Sequence, residues 1–273
     1  MGISKKIYNV LRPYYQKVFA KPDQKYLMIN TELDKKIKKR VLITGIYLTD
    51  YPNQALHLSK QFQNSAYYDV EQKWFAIGKN PVKADMASFT IGYSQTKIPK
   101  FKLLNQIISN IDLSSYDLLI ISDDDIYIWD NFLDAYISYI ESFQLKIAQP
   151  ARTRYSYYDH QICIQKKKEV QARSTNFVEI GPIFSITNDI FQHVLPFPEE
   201  SPMGYGLDYI WPVIARKNSF KIGIIDAVPV DHSYRKQGKT YAADDNIQMM
   251  KEFLSKYENT ECEGQINYEI FYK

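Results

Sequence analysis

The sequence predicts an α/β fold in which one mostly parallel central sheet is flanked by helices. Strands and helices alternate through the first half of the chain, which is the pattern of βαβ units. Two strands, 40–48 and 116–121, are apolar almost throughout, as in the buried centre of a parallel sheet. The chain has 273 residues, 45% of them hydrophobic and 24% charged, so it can bury one large core without a disulfide or a zinc ion.

Local patterns predict the individual elements in order. Residues 40–48 are rich in β-branched side chains, and residues 67–77 alternate between apolar and polar. Apolar stripes at helical spacing predict helices at 101–111 and 131–143. The predicted strands are 40–48, 67–77, 116–121, 177–186 and 220–230. The predicted helices are 52–62, 101–111, 131–143, 206–217 and 244–256.

The N-terminal residues 1–39 form a basic arm that precedes a single domain at 40–273. Ile3, Ile7, Val10 and Leu11 recur at helical spacing among lysines and arginines, and Pro13 interrupts the stripe. A basic amphipathic segment of this kind fits peripheral contact with an anionic membrane surface. It equally fits an arm that packs on its own domain or on a second subunit.

Charge and cysteine content exclude several classes of protein. Residues 1–40 carry 11 basic and 3 acidic side chains, whereas the remainder carries 23 basic and 28 acidic ones. A slightly acidic body does not favour nucleic acid as a partner. Cys163 and Cys262 form no CxxC pattern, and no apolar run approaches the length of a membrane span. We therefore expect a cytoplasmic protein, located at the inner face of the membrane if the arm binds there.

The strand at 116–121 ends in three consecutive acids, Asp123, Asp124 and Asp125. Ligands of open parallel sheets bind beyond the carboxyl ends of the strands. Three carboxylates there repel one another, and a divalent cation such as Mn²⁺ or Mg²⁺ would relieve the repulsion while holding substrate phosphates. An acidic loop or a helix-capping turn would show the same run of three aspartates. His232, which follows another predicted strand, favours the metal site over these two alternatives.

His232 follows the predicted strand 220–230, and its imidazole is suited to completing a metal site. The loop from Arg235 to Lys239 after it is short and basic, so it could close over a diphosphate and stabilise a leaving group. In the segment 203–209, two glycines surround Tyr205, and Asp208 lies near a helix start. Asp208 fits an N-cap, a general base that accepts a proton from a hydroxyl, or both.

At these residues the chain resembles the GT-A fold of nucleotide-sugar-dependent glycosyltransferases. Four motifs resemble the β-1,4-galactosyltransferase type in the same order: Phe101-Lys102-Leu103-Leu104-Asn105, Ser122-Asp123-Asp124-Asp125-Ile126, Gly204-Tyr205-Gly206-Leu207-Asp208, and the strand that ends at His232. Gln149-Pro150-Ala151 and Phe177-Val178-Glu179 are similar to segments of an uncharacterised plant and bacterial family of GT-A-like domains. Together the motifs span residues 40 to about 239.

The resemblance implies a role for each matching residue. Asp125, His232 and Asp123 would bind Mn²⁺ or Mg²⁺, and Asp208 would be the catalytic base. The implied donor-binding residues are Asp123, Asp124, Lys102, Asn105, Arg235, Lys236 and Lys239. The implied acceptor or sugar-binding residues are Glu179, Tyr205 and Gly206. The implied partners are a nucleotide-sugar donor, with a UDP-sugar favoured, and a glycan or lipid-linked glycan acceptor.

Three other functions remain open at this point. A sugar-phosphate nucleotidyltransferase would carry a Gly- and Arg-rich loop after the first strand, but residues 45–50 contain one glycine and no basic residue. A non-catalytic module for glycans or nucleotide sugars would bind metal without turnover. A metal-dependent phosphohydrolase would want more histidine and carboxylate ligands than these motifs offer.

Overall fold

The structure, a computed structural model, describes residues 38–235, 243–257 and 264–272. Within these ranges one nine-stranded sheet carries helices on both faces. The strands are β1 Arg40–Leu48, β2 Asp69–Ile77, β3 Thr90–Ser94, β4 Leu118–Asp123, β5 Leu145–Arg152, β6 Val170–Thr175, β7 Ile183–Thr187, β8 Lys221–Val230 and β9 Asn267–Tyr272. The helices are α1 Ala55–Gln63, α2 Lys100–Ile108, α3 Phe132–Phe143, α4 Phe191–Val194, α5 Leu207–Lys217 and α6 Ala243–Leu254.

The strand order is β3-β2-β1-β4-β7-β5-β8-β6-β9. The pairs β1–β2, β1–β4, β2–β3 and β5–β8 are parallel. Strand β7 runs antiparallel to both β4 and β5, and β6 runs antiparallel to both β8 and β9. Strands β1, β4, β5 and β8 therefore all point the same way, so their carboxyl ends lie along one edge of the sheet.

The predicted α/β class and the single sheet flanked by helices are confirmed. All five predicted helices are present with shifted ends, as α1, α2, α3, α5 and α6. The predicted strand 177–186 is wrong in its first half, since β7 begins only at Ile183 and residues 177–180 form no strand. The prediction also missed β3, β5, β6 and β9. The separate arm at 1–39 stays a prediction, because residues 1–37 lie outside the described ranges.

Two apolar layers sandwich the sheet, and β1 shows why. Val41 and Ile43 point into one layer, with Phe62 of α1 and Phe132 of α3. Leu42 between them points into the other layer, with helices α2 and α5. Alternation of a strand that is buried on both sides produces such a run of apolar residues. No helix of the described residues is long and apolar enough to cross a membrane.

Candidate active site

The candidate site lies at the edge of the sheet where β4, β5 and β8 end. Asp123 is the last residue of β4, Arg152 the last of β5, and His232 follows β8 by two residues. The segment that leads into β7 reaches the same edge, because the backbone N–H of Asp123 donates to Pro182 O at 2.7 Å. Parallel strand ends therefore gather residues that are more than a hundred positions apart in the sequence.

Asp125 and His232 meet at this edge, as the sequence predicted. Asp125 Oδ1 lies 3.3 Å from His232 Nε2, and both side chains are largely buried. Two backbone contacts fix the histidine: its N–H donates to Ser156 Oγ and its carbonyl accepts from the Tyr157 N–H, both at 2.9 Å. Burial raises the pKa of Asp125, but the hydrogen bond from His232 and the nearby cations outweigh it, so the net pKa is lowered.

The Asp124 side chain is fully buried and contacts two separate parts of the chain. One carboxylate oxygen accepts from the Leu48 N–H at 2.7 Å and the other pairs with Arg235 Nη2 at 2.5 Å. Burial raises its pKa to about 6, against the opposing effect of Arg235. Through these contacts Asp124 joins β1 to Arg235, and its predicted contact with a donor stays a prediction.

Asp123 faces Lys100, at the start of α2, with Oδ1 and Nζ 2.6 Å apart. Lys100 Nζ also donates to Ile180 O at 3.2 Å. Lys102, the lysine predicted to bind the donor, is exposed two positions further along the helix. Lys100 is thus the lysine that reaches Asp123, Pro99 before the helix is the sequence signal that Lys100 begins it, and the donor-binding role of Lys102 stays a prediction.

The side chains at this edge fit a divalent cation in part. A carboxylate and an imidazole converge at 3.3 Å, and they belong to the ligand types that Mn²⁺ accepts. His232 Nδ1 is buried without a hydrogen-bond partner in the described part of the chain, whereas Nε2 faces Asp125. Among the described residues no group of three His, Cys, Asp or Glu side chains is arranged to hold a metal. A cation held by Asp125 and His232 would therefore need further oxygen ligands, as from a substrate.

A second group of charged side chains, formed by Arg152 and Glu179, lies beside Asp125 and His232. Glu179 Oε2 is 2.6 Å from Arg152 Nη2, and both side chains are more than nine-tenths buried. Arg152 also donates to Gly181 O at 2.9 Å and Tyr157 O at 2.8 Å. The Glu179 N–H donates to Gln149 Oε1 within β5. The two segments that resemble the plant and bacterial family thus contact each other directly, and Arg152 is a participant that the sequence reasoning missed.

Asp208 completes this group from the first turn of α5. It is 7% exposed, and its Oδ1 has no hydrogen-bond partner in the described ranges. Burial and the Glu179 carboxylate together raise its pKa to about 7. A carboxylate with such a pKa can accept a proton near neutral pH.

Two glycines set the start of α5. Gly204 has φ +87°, and a Cβ there would lie 2.1 Å from Phe101. Gly206 has φ +96°, is the N-cap of α5 and packs against Phe253. A Cβ on Gly206 would therefore face Phe253 of α6, and the predicted role of Gly206 in sugar binding stays a prediction. Tyr205 between them is exposed, so it remains available to a ligand.

Asn105, another residue predicted to bind the donor, contacts the loop before α5. The Asn105 amide donates to Phe197 O at 2.7 Å and accepts from the Phe197 N–H at 2.9 Å. Asn105 thereby holds the loop before α5, and its predicted donor contact stays a prediction. Lys236 and Lys239 lie outside the described residues.

The fold and this edge can be compared with known proteins. The sequence matches no protein-family model, and no curated protein matches it. Among solved structures, GalNAc-T7 with UDP, GalNAc and Mn²⁺ is 10% identical, with a TM-score of 0.52 over 93% of this chain. TarS from S. aureus in complex with UDP-GlcNAc is 12% identical, with a TM-score of 0.53 over 82% of this chain and 68% of TarS. The mannosyltransferase PcManGT from Pyrobaculum calidifontis, with GDP-Man and Mn²⁺, is 12% identical, with a TM-score of 0.50 over 85% of this chain and 67% of that one.

These similarities establish the fold of the chain. It is the GT-A fold that the sequence motifs implied, the fold of nucleotide-sugar glycosyltransferases. The chain spans 57% of the length of GalNAc-T7. The more specific likeness to β-1,4-galactosyltransferases stays a prediction.

Proposed function

We propose that the protein is a metal-dependent glycosyltransferase that moves a sugar from a nucleoside-diphosphate sugar to a hydroxyl of a glycan or glycolipid. The convergence of Asp125, His232 and Arg235 at the carboxyl edge of a GT-A fold carries the proposal. The similar solved structures hold UDP, UDP-GlcNAc or GDP-Man, and two of them hold Mn²⁺. We favour a UDP-sugar as the donor.

Asp125 and His232 would hold Mn²⁺ or Mg²⁺ together with oxygens of the donor. When bound there, the ion would act as a Lewis acid and stabilise the negative charge of the departing diphosphate. Arg235 supplies a fixed cation beside the same carboxylates, 3.2 Å from Asp125. Lys100 supplies another cation, which pairs with Asp123, and Asp123 would orient the donor or assist the metal site.

Asp208 would act as the general base of an inverting displacement. As the acceptor oxygen forms a bond to the anomeric carbon, the bond from that carbon to the diphosphate breaks. The proton of the acceptor hydroxyl passes to Asp208. A pKa of about 7 suits this role, because half of the carboxylate is ionised at neutral pH and its affinity for the proton is high.

Three further parts of the proposal concern partners. Glu179 and the exposed Tyr205 would contact the acceptor or the transferred sugar. The acceptor would be a glycan or a lipid-linked glycan. The basic arm at 1–39 would bring the protein to an anionic membrane surface at the inner face of the membrane, on the strength of its sequence pattern alone.

A panel of UDP-, GDP- and dTDP-sugars, each with and without Mn²⁺, tests the proposal. We expect metal-dependent release of sugar from one donor class and its loss in Asp125→Asn. Asp189→Asn is the matched control, because Asp189 pairs with Lys146 at the opposite edge of the sheet. Equal turnover in Asp125→Asn and wild type would contradict the proposed metal site.

Two outcomes would favour the alternatives. Metal-dependent binding of a nucleotide sugar without any turnover would indicate a non-catalytic binding module. Release of diphosphate from a nucleoside triphosphate and a sugar phosphate would indicate a nucleotidyltransferase. For a transferase, the anomeric configuration of the product, read by NMR, separates inversion from retention, and retention would remove the role of Asp208 as base.

A further inference from the structure

The segment that follows the three aspartates carries two aromatic side chains on its open side. Burial alternates along it: Ile126 and Ile128 are fully buried in one apolar layer of the sheet. Tyr127 between them is 40% exposed, and Trp129 is half-buried. Both aromatic residues therefore lie on the side that faces away from the core, two and four positions beyond Asp125.

The backbone of Tyr127 joins this segment to the second candidate metal ligand. The Tyr127 N–H donates to Asp231 O at 2.8 Å, and the Tyr127 carbonyl accepts from the Asp231 N–H at 3.0 Å. Asp231 directly precedes His232. Tyr127 is thus next to Asp125 along the chain and next to His232 across this bridge, so the aromatic pair is continuous with the candidate active site.

The two rings are held in fixed orientations. The His57 ring stacks on the Tyr127 ring, with centroids 4.4 Å apart and planes 9° apart. His57 is itself fixed, because its Nε2 donates to Ile128 O at 2.8 Å. The Trp129 ring lies 5.5 Å from the Tyr127 ring and is nearly perpendicular to it, at 82°. The two aromatic faces form a rigid corner, and rigid side chains lose little conformational entropy when a ligand binds.

The geometry of this corner indicates the kind of ring that fits it. The face of an aromatic ring is negative, and the C–H groups on the face of a pyranose ring are partly positive. A pyranose ring can therefore stack on an aromatic face while its hydroxyls keep their hydrogen bonds at the ring edge. A flat nucleobase stacks best between two parallel faces. Tyr127 and His57 are parallel but already in contact, and Trp129 is perpendicular, so these three rings leave no parallel slot.

We propose that Tyr127 and Trp129 form a stacking corner that holds a pyranose ring beside the candidate metal ligands. The ring belongs to the transferred sugar or to the acceptor. This inference rests on the proposed function for the nature of the substrates and adds a subsite to it. The corner orients the sugar by its face, so it acts on substrate binding and specificity.

Tryptophan fluorescence tests the corner directly. The chain has three tryptophans, and Trp74 and Trp211 are buried, so quenching by acrylamide reports mainly on Trp129. The probes, each with Mg²⁺, are UDP, UDP-GlcNAc, UDP-galactose, free N-acetylglucosamine and free galactose. We expect a sugar-bearing probe to protect Trp129 from acrylamide and UDP alone to leave it accessible. Protection by a nucleotide sugar assigns the ring to the donor, and protection by a free sugar assigns it to the acceptor.

Variants show whether the aromatic face carries the binding. Tyr127→Ala should weaken the binding of the protecting probe about tenfold and leave the affinity for UDP unchanged. Tyr127→Phe keeps the ring and should bind as wild type does. Trp129→Phe should abolish the quenching change. Tyr268→Ala is the matched control, because Tyr268 is exposed near the start of β9, at the opposite edge of the sheet.

Several results would overturn the inference. Protection of Trp129 by UDP alone would show that the nucleotide occupies the corner. Sugar-bearing probes that leave Trp129 accessible, or unchanged affinity in Tyr127→Ala, would show that no pyranose stacks there. If Tyr127→Ala does not fold, Tyr127→Leu still removes the aromatic face while filling most of its volume.

The corner and the proposed function can fail separately. A free sugar that protects Trp129 in a protein that neither binds nor turns over a nucleotide sugar would leave the corner intact and refute the transfer reaction. Full transferase activity in Tyr127→Ala, with Trp129 unprotected in wild type, would refute the corner alone.

Discussion

The raised pKa of Asp208 makes a quantitative prediction for the stability of the protein. Asp208 has a pKa of about 7 in the folded chain, against the ordinary value of 3.8. Between these values the unfolded chain loses its proton while the folded chain keeps it, so the free energy of unfolding falls as pH rises. Three pH units correspond to about 4 kcal/mol of lost stability, which is complete once the pH exceeds the folded pKa.

Urea unfolding of wild type and Asp208→Asn from pH 4 to pH 9 measures this loss. The asparagine keeps the shape of the side chain and does not titrate, so the variant should gain stability relative to wild type as pH rises. The difference in the free energy of unfolding should grow between pH 4 and pH 7 and then stay level. Any constant cost of the new amide cancels, because only the change with pH is used.

Glu199→Gln serves as the control, because Glu199 is an exposed residue of the loop between α4 and α5. Its difference from wild type should be flat over the same range. A flat difference for Asp208→Asn would show that the folded chain does not hold the Asp208 proton. A difference of the opposite sign would show that Asp208 is stabilised as the anion, and the argument for a base poised near pH 7 would fail.

Three further predictions concern single contacts. Asp125→Asn should weaken the binding of Mn²⁺ about tenfold or more by isothermal titration, and equal affinity would exclude Asp125 as a ligand. Gly204→Ala should destabilise the protein by more than about 1 kcal/mol, because the new Cβ would meet Phe101 at 2.1 Å and φ is +87°; an unchanged melting temperature would contradict this. Arg173→Met should cost about 3–5 kcal/mol in urea unfolding, because Asp226 is fully buried and paired with Arg173 at 2.7 Å, and a smaller loss would mean that the acid is neutral there.

The strands that could be predicted are those whose burial is visible in the sequence. Strands β1 and β4 lie in the centre of the sheet, are covered on both faces, and appear as continuous apolar runs. A single residue separates β5 from the end of α3, and β5 contains Pro150. The sequence pattern therefore marks neither the start of this strand nor its course. Strand β9 is an edge strand whose side chains are mostly exposed, and no buried face imposes a pattern on it.

The site was predictable where chemistry coincides with the end of a strand. Asp125 and His232 each follow an apolar strand, and parallel topology brings those ends together. Lys100 and Arg152 were not found, because their partners lie 23 and 27 positions away and only the fold shows the pairing.

The three consecutive aspartates illustrate how the folded chain keeps like charges together. Each has its own partner: Lys100 for Asp123, Arg235 for Asp124 and His232 for Asp125. Arg235 lies 2.5 Å from Asp124 and 3.2 Å from Asp125, so it bridges two of the acids.

A divalent ion on Asp125 would repel that guanidinium, because both are cations that compete for one carboxylate. Asp124 is buried and fully hydrogen-bonded, so it would retain Arg235 while the contact to Asp125 is released. Arg235 would then keep its pair with Asp124 and supply positive charge beside the proposed metal ligands. By holding Arg235, Asp124 would determine where that positive charge lies.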